Sequence, residues 1–191
     1  MARESRHDQH SAQPEVPNVG KDTADPARKA KSECLRLLAV QPRTRAELHK
    51  ALKRKGFEAD VADQVIGKLE RARLVNDEEY AEMWVRSRHA NQGLGRRALT
   101  SELVRRGVDR ATAEQAAESI DVSDEEVRAR DLVRKRLPTL RHVDETTAVR
   151  RLVAMLARKG YAEGLAYRVV REELAGDGRV TTLLDETQSS L

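Results

Sequence analysis

The chain has 191 residues, 39% hydrophobic and 36% charged, with aromatics at only 3% and a formal net charge of +4. This supplies apolar material for thin layers built of Leu, Val and Ala and excludes a thick globule. No apolar run approaches the roughly 18 residues that span a bilayer, the first residues lack a signal-peptide core, and the single cysteine rules out an internal disulfide. A soluble, cytoplasmic protein is expected, with no membrane association.

Residues 1–23 are polar, carry Pro14 and Pro17 and show no periodicity, so a disordered tail is expected there. Asp25-Pro26 opens a helix with Ala30, Cys34, Leu35 and Leu38 on one face, which stops before Pro42, and Cys34 reads as an inert core thiol. Thr44-x-x-Glu47 is a capping box that opens a second helix, with Leu48 and Leu52 inward and Gly56 closing it. A third helix, from about Ala59 to Arg71, presents Val61, Val65 and Leu69.

Asn76 then caps a helix, with Glu79 placed to bond back to the cap, and Tyr80, Ala81, Trp84 and Val85 share a face. After Gly93 and Gly95 another helix carries Leu99 and Leu103 inward and Arg96, Arg97, Arg105 and Arg106 mostly outward, ending at Gly107. A further amphipathic helix ends near Ile120. Ser123-x-x-Glu126 opens the next, through Val127, Leu132 and Val133 to Pro138. A helix from about Thr146 carries Val149, Leu152, Val153 and Leu156, and the last runs to about Ala175 before Gly176, Gly178 and a polar tail.

The same sentence is thus written three times. Gly56, Gly107 and Gly160 stand 51 and then 53 residues apart. Each is followed by a large apolar residue (Phe57, Val108, Tyr161) and preceded by two bases (Arg54-Lys55, Arg105-Arg106, Arg158-Lys159). Leucine stands four residues before each (Leu52, Leu103, Leu156) and again eight before (Leu48, Leu99, Leu152). No alternating stretch long enough for a strand interrupts the pattern. The expected fold is all-α, three tandem three-helix, helix-turn-helix-like repeats over 24–75, 76–122 and 123–176 in an extended array, with a tail over 177–191.

No catalytic constellation emerges. Gly93-Leu-Gly95-Arg-Arg-Ala98 has the letters of a dinucleotide fingerprint but follows a helix where that motif requires a strand. The five histidines are scattered and carboxylate pairs such as Glu78-Glu79 and Glu125-Glu126 lie in first helical turns, where they favour the helix dipole. No enzyme activity, metal or cofactor is expected.

Charge is striped. From Met83 to Arg106 six arginines (Arg86, Arg88, Arg96, Arg97, Arg105, Arg106) face Glu102 alone, a local balance of +5. These six are the candidate interaction face, for phosphates or for acidic groups of a protein. Bases before the closing glycines also satisfy the helix dipole and the last carbonyls. Tyr80 and Trp84, one turn apart, read as inter-helix packing, with a partner-facing anchor as the alternative.

Asn76-Asp77-x-x-Tyr80-Ala81, then Val85-Arg86-x-Arg88, a Gly95 linker and a helix ending Leu103-x-x-Arg106-Gly107-Val108 resemble the RecX family, regulators of the RecA recombinase. The resemblance covers about residues 26–175 and includes the three-repeat layout. It implies a curved, monomeric array lying in the groove of the RecA filament on single-stranded DNA, with weak, non-specific DNA contact. It further implies inhibition of recombination, ATP hydrolysis and co-protease activity, by blocking filament growth or promoting disassembly, and thereby modulation of DNA repair and the SOS response. The alternative from the residues alone is a RecA-independent DNA-binding module with one unit placed like a helix-turn-helix.

Overall fold

The computed structural model describes residues 25–178; the tail expected over 1–23, and all but the first two residues of the tail expected over 177–191, lie outside them. Among the described residues every regular element is helical: α1 (Pro26–Val40), α2 (Arg45–Arg54), α3 (Ala59–Arg71), α4 (Asp77–Gln92), α5 (Arg96–Arg105), α6 (Arg110–Glu118), α7 (Val122–Arg136), a 3-10 turn (Leu137–Leu140), α8 (Glu145–Arg158) and α9 (Glu163–Gly176). Most helix starts are written by a capping side chain that takes up otherwise orphaned N–H groups. Asp25 accepts from Ala27 N, Thr44 from Glu47 N, and Asn76 from both Glu78 N and Glu79 N. The α7 cap is Asp121, which accepts from Ser123 N at 2.7 Å, rather than Ser123 itself. Both residues are good caps, and the earlier one extends the helix.

Each run of three helices closes on its own core. The first gathers Cys34, Leu48, Leu52, Ile66 and Leu69; the second Tyr80, Val85, Leu99, Leu103 and Val108; the third Val133, Leu152, Leu156, Tyr161 and Leu174. The helices of a triad pack extensively on one another, α1 on α3, α4 and α5 on α6, α7 and α8 on α9, whereas no pair from different triads shares a comparable face. The architecture is therefore a row of tandem three-helix repeats. All six leucines of the repeated columns are fully buried, each contributing about 1.5–3 kcal/mol by apolar burial. Burial holds the lone Cys34 thiol up at about 11, so it stays protonated and inert at neutral pH.

Leu35, expected on one face with Ala30 and Cys34, is 39% exposed, and Val127 on α7 is 58% exposed. In α1 the core is met by Ala30 and Cys34, and in α7 by Ala129 and Val133, which leaves these two at the edge of each stripe.

Each repeated glycine ends its helix with a positive φ, +82° at Gly56, +87° at Gly107 and +86° at Gly160. In all three the following residue's N–H returns to the leucine carbonyl five residues back (Phe57 to Leu52, Val108 to Leu103, Tyr161 to Leu156) and the glycine N–H reaches the carbonyl three back. This is the Schellman closure, which favours a residue without a Cβ at the left-handed position, although Arg73 at φ +55° makes the same pair of bonds after α3.

Candidate functional site

The expected interaction face lies on α4 and α5, and the structure divides its six arginines into two groups. Arg86, Arg97 and Arg105 are exposed. Arg86 pairs with Glu82, one turn away at 3.5 Å, with its side chain 70% exposed. The other three are half-buried and engaged inside the protein, so Arg96 and Arg106, expected to point outward, are corrected to structural positions.

Arg106 is the centre of the first junction. Its guanidinium lies 3.8 Å from the centre of the Trp84 ring and donates to Glu47 Oε1 at 2.6 Å, in the preceding repeat. Arg88 approaches the same ring at 4.2 Å and pairs with Glu102, which also accepts from Trp84 Nε1 at 3.0 Å. Trp84 in turn stacks on Tyr80 with ring centres 5.8 Å apart. Cation–π contacts and a carboxylate that satisfies the indole N–H make this cluster a local clamp. Glu47, expected to bond back to its own cap, is drawn away to Arg106, and the Thr44 hydroxyl donates to the Arg106 carbonyl at 2.7 Å. Arg45 N donates to Asp77 Oδ1 at 2.8 Å; burial raises the Asp77 carboxyl above its ordinary value, and the Arg45 amide opposes the rise.

The second junction repeats the first with different atoms. The α5 cap is Gly95, which offers no side chain, and the next repeat supplies what is missing. Gly95 N donates to Lys159 O at 2.8 Å, Arg96 N to Glu125 Oε1 at 2.9 Å and Arg97 N to Gly160 O at 3.2 Å. The Arg96 side chain donates to the Ile120 carbonyl and lies 3.5 Å from Glu125 Oε2. Glu125, read as a dipole-favouring acid, is buried and serves as this junction's acceptor. Lys159 Nζ donates to Gln92 O at 2.7 Å, and Tyr161 Oη donates to Gly93 O at 3.1 Å, with burial pushing that phenol's pKa upward.

In both junctions the glycine corner of one repeat sits against the start of the second helix of the repeat before it. A Cβ on Gly107 would come within 2.2 Å of Ala46 Cβ, and a Cβ on Gly160 within 2.2 Å of Ala98 N. Thr44 and Gly95 are equivalent caps, Arg45 and Arg96 equivalent donors, Asp77 and Glu125 equivalent acceptors, each acceptor in the first turns of the next repeat's leading helix. The two junctions share their kinds of partner but not their register: Asp77 is the first residue of α4 and Glu125 the fourth of α7, and Gly107 meets the second residue after its cap where Gly160 meets the third.

Sequence reasoning missed the acceptors Glu47, Asp77 and Glu125; their one signal was a carboxylate just inside a cap, which the helix dipole already explained. Tyr80 also borders an open depression where Leu35, Leu38, Pro42, Leu74 and Met83 stand beside the polar Arg43, Arg73, Asn76 and Glu79. Among the described residues no group of three or more His, Cys, Asp and Glu is close enough to hold a metal ion, and no helix is long and apolar enough to cross a membrane.

A sequence model of the second three-helix domain of RecX matches residues 76–116, and one of the first matches residues 30–69. The regulatory protein RecX of Amycolatopsis mediterranei is 57% identical over 159 residues, covering 83% of this chain and 91% of the relative. That of Streptomyces coelicolor is 43% identical over 167 residues, covering 87% and 89%. The crystal structure of RecX from Lactobacillus salivarius superposes with a TM-score of 0.74 at 25% identity, covering 78% of this chain and 97% of that one.

Proposed function

The chain belongs to the RecX family of regulatory proteins, and from that premise we propose that it regulates a RecA-type recombinase by binding the filament RecA forms on single-stranded DNA. Bound there, it inhibits the recombinase, ATPase and co-protease activities and so modulates DNA repair and the SOS response. It acts as a cytoplasmic monomer, and regulation of this kind needs positioned surfaces rather than chemistry.

The observation that carries this reading is the recurrence of one kind of junction. A row whose neighbouring repeats are joined by similar corners can set similar surfaces against successive subunits of a helical polymer, so contacts too weak singly add up through avidity. The division of the arginines refines the candidate site. Arg86, Arg97 and Arg105 are exposed enough to meet acidic filament groups or phosphate, whereas Arg96 and Arg106 tie neighbouring repeats together and Arg88 braces Trp84 within its own repeat. Tyr80 is 5% exposed and stacked on Trp84, which supports packing over partner anchoring.

The test is ATP hydrolysis by a cognate RecA on single-stranded DNA, titrated with this protein well below one copy per RecA. Strong inhibition at those ratios is expected. No effect at excess of a folded protein would overturn the reading and favour a DNA-binding module independent of the recombinase. Replacing Arg86 and Arg97 together by Gln is expected to raise the concentration needed for half-inhibition by about tenfold, one to two weak ionic contacts' worth.

A further inference from the structure

The third repeat sorts its cations onto two surfaces. Where α7 packs on α9 three of them are neutralised: Arg130 pairs with Glu126, Glu172 and Glu173, Arg134 with Glu173, and Arg168 with Glu126. Around α8 they are not. Arg136, Arg150, Arg151 and Arg158 line an open depression of about 440 Å³ floored by Ala154 and Met155, with no carboxylate in its lining. All four arginines are exposed, and none makes an ion pair among the described residues. Arg150 does influence Asp144, the cap of its own helix, whose carboxyl it helps to hold below its ordinary value after the bonds from Thr147.

Helix geometry explains the cluster. Positions 150, 151, 154 and 158 fall on one side of α8, opposite the buried Val149, Leu152 and Leu156. Arg150 and Arg158 are two turns apart, about 12 Å along the axis, and Arg136 adds a charge from the end of α7. Four like charges held together repel one another and destabilise the fold slightly. Among the described residues none of the four is held in an ion pair, and the one carboxylate that feels the group is Asp144, through Arg150.

We propose that this face of α8 binds the phosphate backbone of single-stranded nucleic acid. Guanidinium forks match phosphate oxygens in pairs, and a row of them over two turns suits a linear polyanion. The depression is open rather than enclosed, so it selects charge and continuity instead of the shape of a small ligand, and contact with backbone alone carries no sequence preference. The site lies outside the α4–α5 face, and its test needs no recombinase, so its failure and that of the filament reading are separable.

The full chain is titrated into a fluorescent oligo(dT) over a range of salt concentrations. Arg150→Gln/Arg151→Gln/Arg158→Gln is compared with the charge-matched Arg28→Gln/Arg54→Gln/Arg71→Gln, all six positions being exposed. The α8 variant is expected to bind at least about tenfold more weakly and to lose about 2 from the slope of log affinity against log salt, since each phosphate contact on a single strand contributes about 0.7. The control variant is expected to lose less than threefold, the effect of net charge alone. Equal losses in the two variants, or unchanged binding in the α8 variant, would overturn the proposal. So would an α8 variant that keeps oligonucleotide binding but loses filament inhibition, because the face would then be docking on an acidic protein surface. Circular dichroism and thermal melting check that both variants fold.

Discussion

The first glycine corner and the third have nearly the same backbone and opposite surroundings. Gly56 and Gly160 both close an amphipathic helix at φ near +85°, +82° and +86° respectively, after a leucine and two bases. Yet a Cβ on Gly56 would meet nothing within 4 Å, whereas one on Gly160 would meet Ala98 N at 2.2 Å and Ala98 Cα at 2.8 Å. The residue before each glycine shows the same contrast. Lys159 reaches back to Gln92 O, and Arg106, before Gly107, reaches back to Glu47. Lys55 has no earlier repeat among the described residues, and it turns into its own, pairing with Glu33 at 3.0 Å. The shared sequence column therefore encodes a helix ending in all three places and a junction in two. Local backbone chemistry and inter-repeat chemistry are written in the same letters.

The contrast can be broken by substitution. Gly160→Ala is expected to have the largest effect, because the left-handed conformation costs about 1–2 kcal/mol for any Cβ and collision with the backbone of Ala98 adds overpacking of about 1–3 kcal/mol. Chemical denaturation should show a loss in the upper part of the summed range of about 2–5 kcal/mol, with the third repeat melting apart from the others. Gly107→Ala meets a methyl group instead, Ala46 Cβ at 2.2 Å. It should cost slightly less, about 2–4 kcal/mol, and adding Ala46→Gly should restore part of the loss, as double-mutant denaturation would reveal. No such rescue is expected for Gly160.

Arg106→Ala should cost about 1–3 kcal/mol, since it removes the guanidinium from the Trp84 ring and leaves Glu47 without its cross-junction partner. Tryptophan fluorescence should shift in the same variant, because Trp84 is the chain's one tryptophan. Gly56→Ala should cost only the backbone term, about 1–2 kcal/mol, with no loss of cooperativity.

The smallest effect is a pH dependence at the first corner. Bonds from Arg36 and Lys55 hold the Glu33 carboxyl down at about 2, against an ordinary 4.5. A depressed folded-state value means that the stabilisation is complete above 4.5 and is lost as pH falls towards 2. The melting temperature of Glu33→Gln should accordingly lie below that of the parent at pH 7, and the gap should close between those two values. A gap independent of pH would show that Glu33 acts by packing.

Much of the fold was legible in the chain. Leu48, Leu99 and Leu152 are spaced from their glycines by helical periodicity, a local rule, and all three are fully buried. Caps at Asp25, Thr44 and Asn76 were equally readable because their partners lie within three residues. The site was less so, because its division depends on partners far along the chain. Arg106 and Glu47 are 59 residues apart and Arg96 and Glu125 are 29 apart, so a local charge balance counts as free two cations that the fold neutralises. Ser123 and Asp121 show a subtler limit, since two good caps stood two residues apart and propensity does not rank them. Which cations of the third repeat lack counter-charges likewise depended on where α9 came to lie, since Glu172 and Glu173 reach back to Arg130 and Arg134.

The central claim is that the junctions, rather than the helices they join, give the row the geometry that regulates a filament. The most direct measurement compares Gly160→Ala with Gly56→Ala in inhibition of RecA ATP hydrolysis on single-stranded DNA, at a temperature where both remain helical. Gly56→Ala is expected to inhibit like the parent, and Gly160→Ala to need at least about tenfold more protein, as lost avidity between repeats requires. Equal inhibition by the two variants would contradict the claim, since a helix ending alone would then be all that either glycine provides.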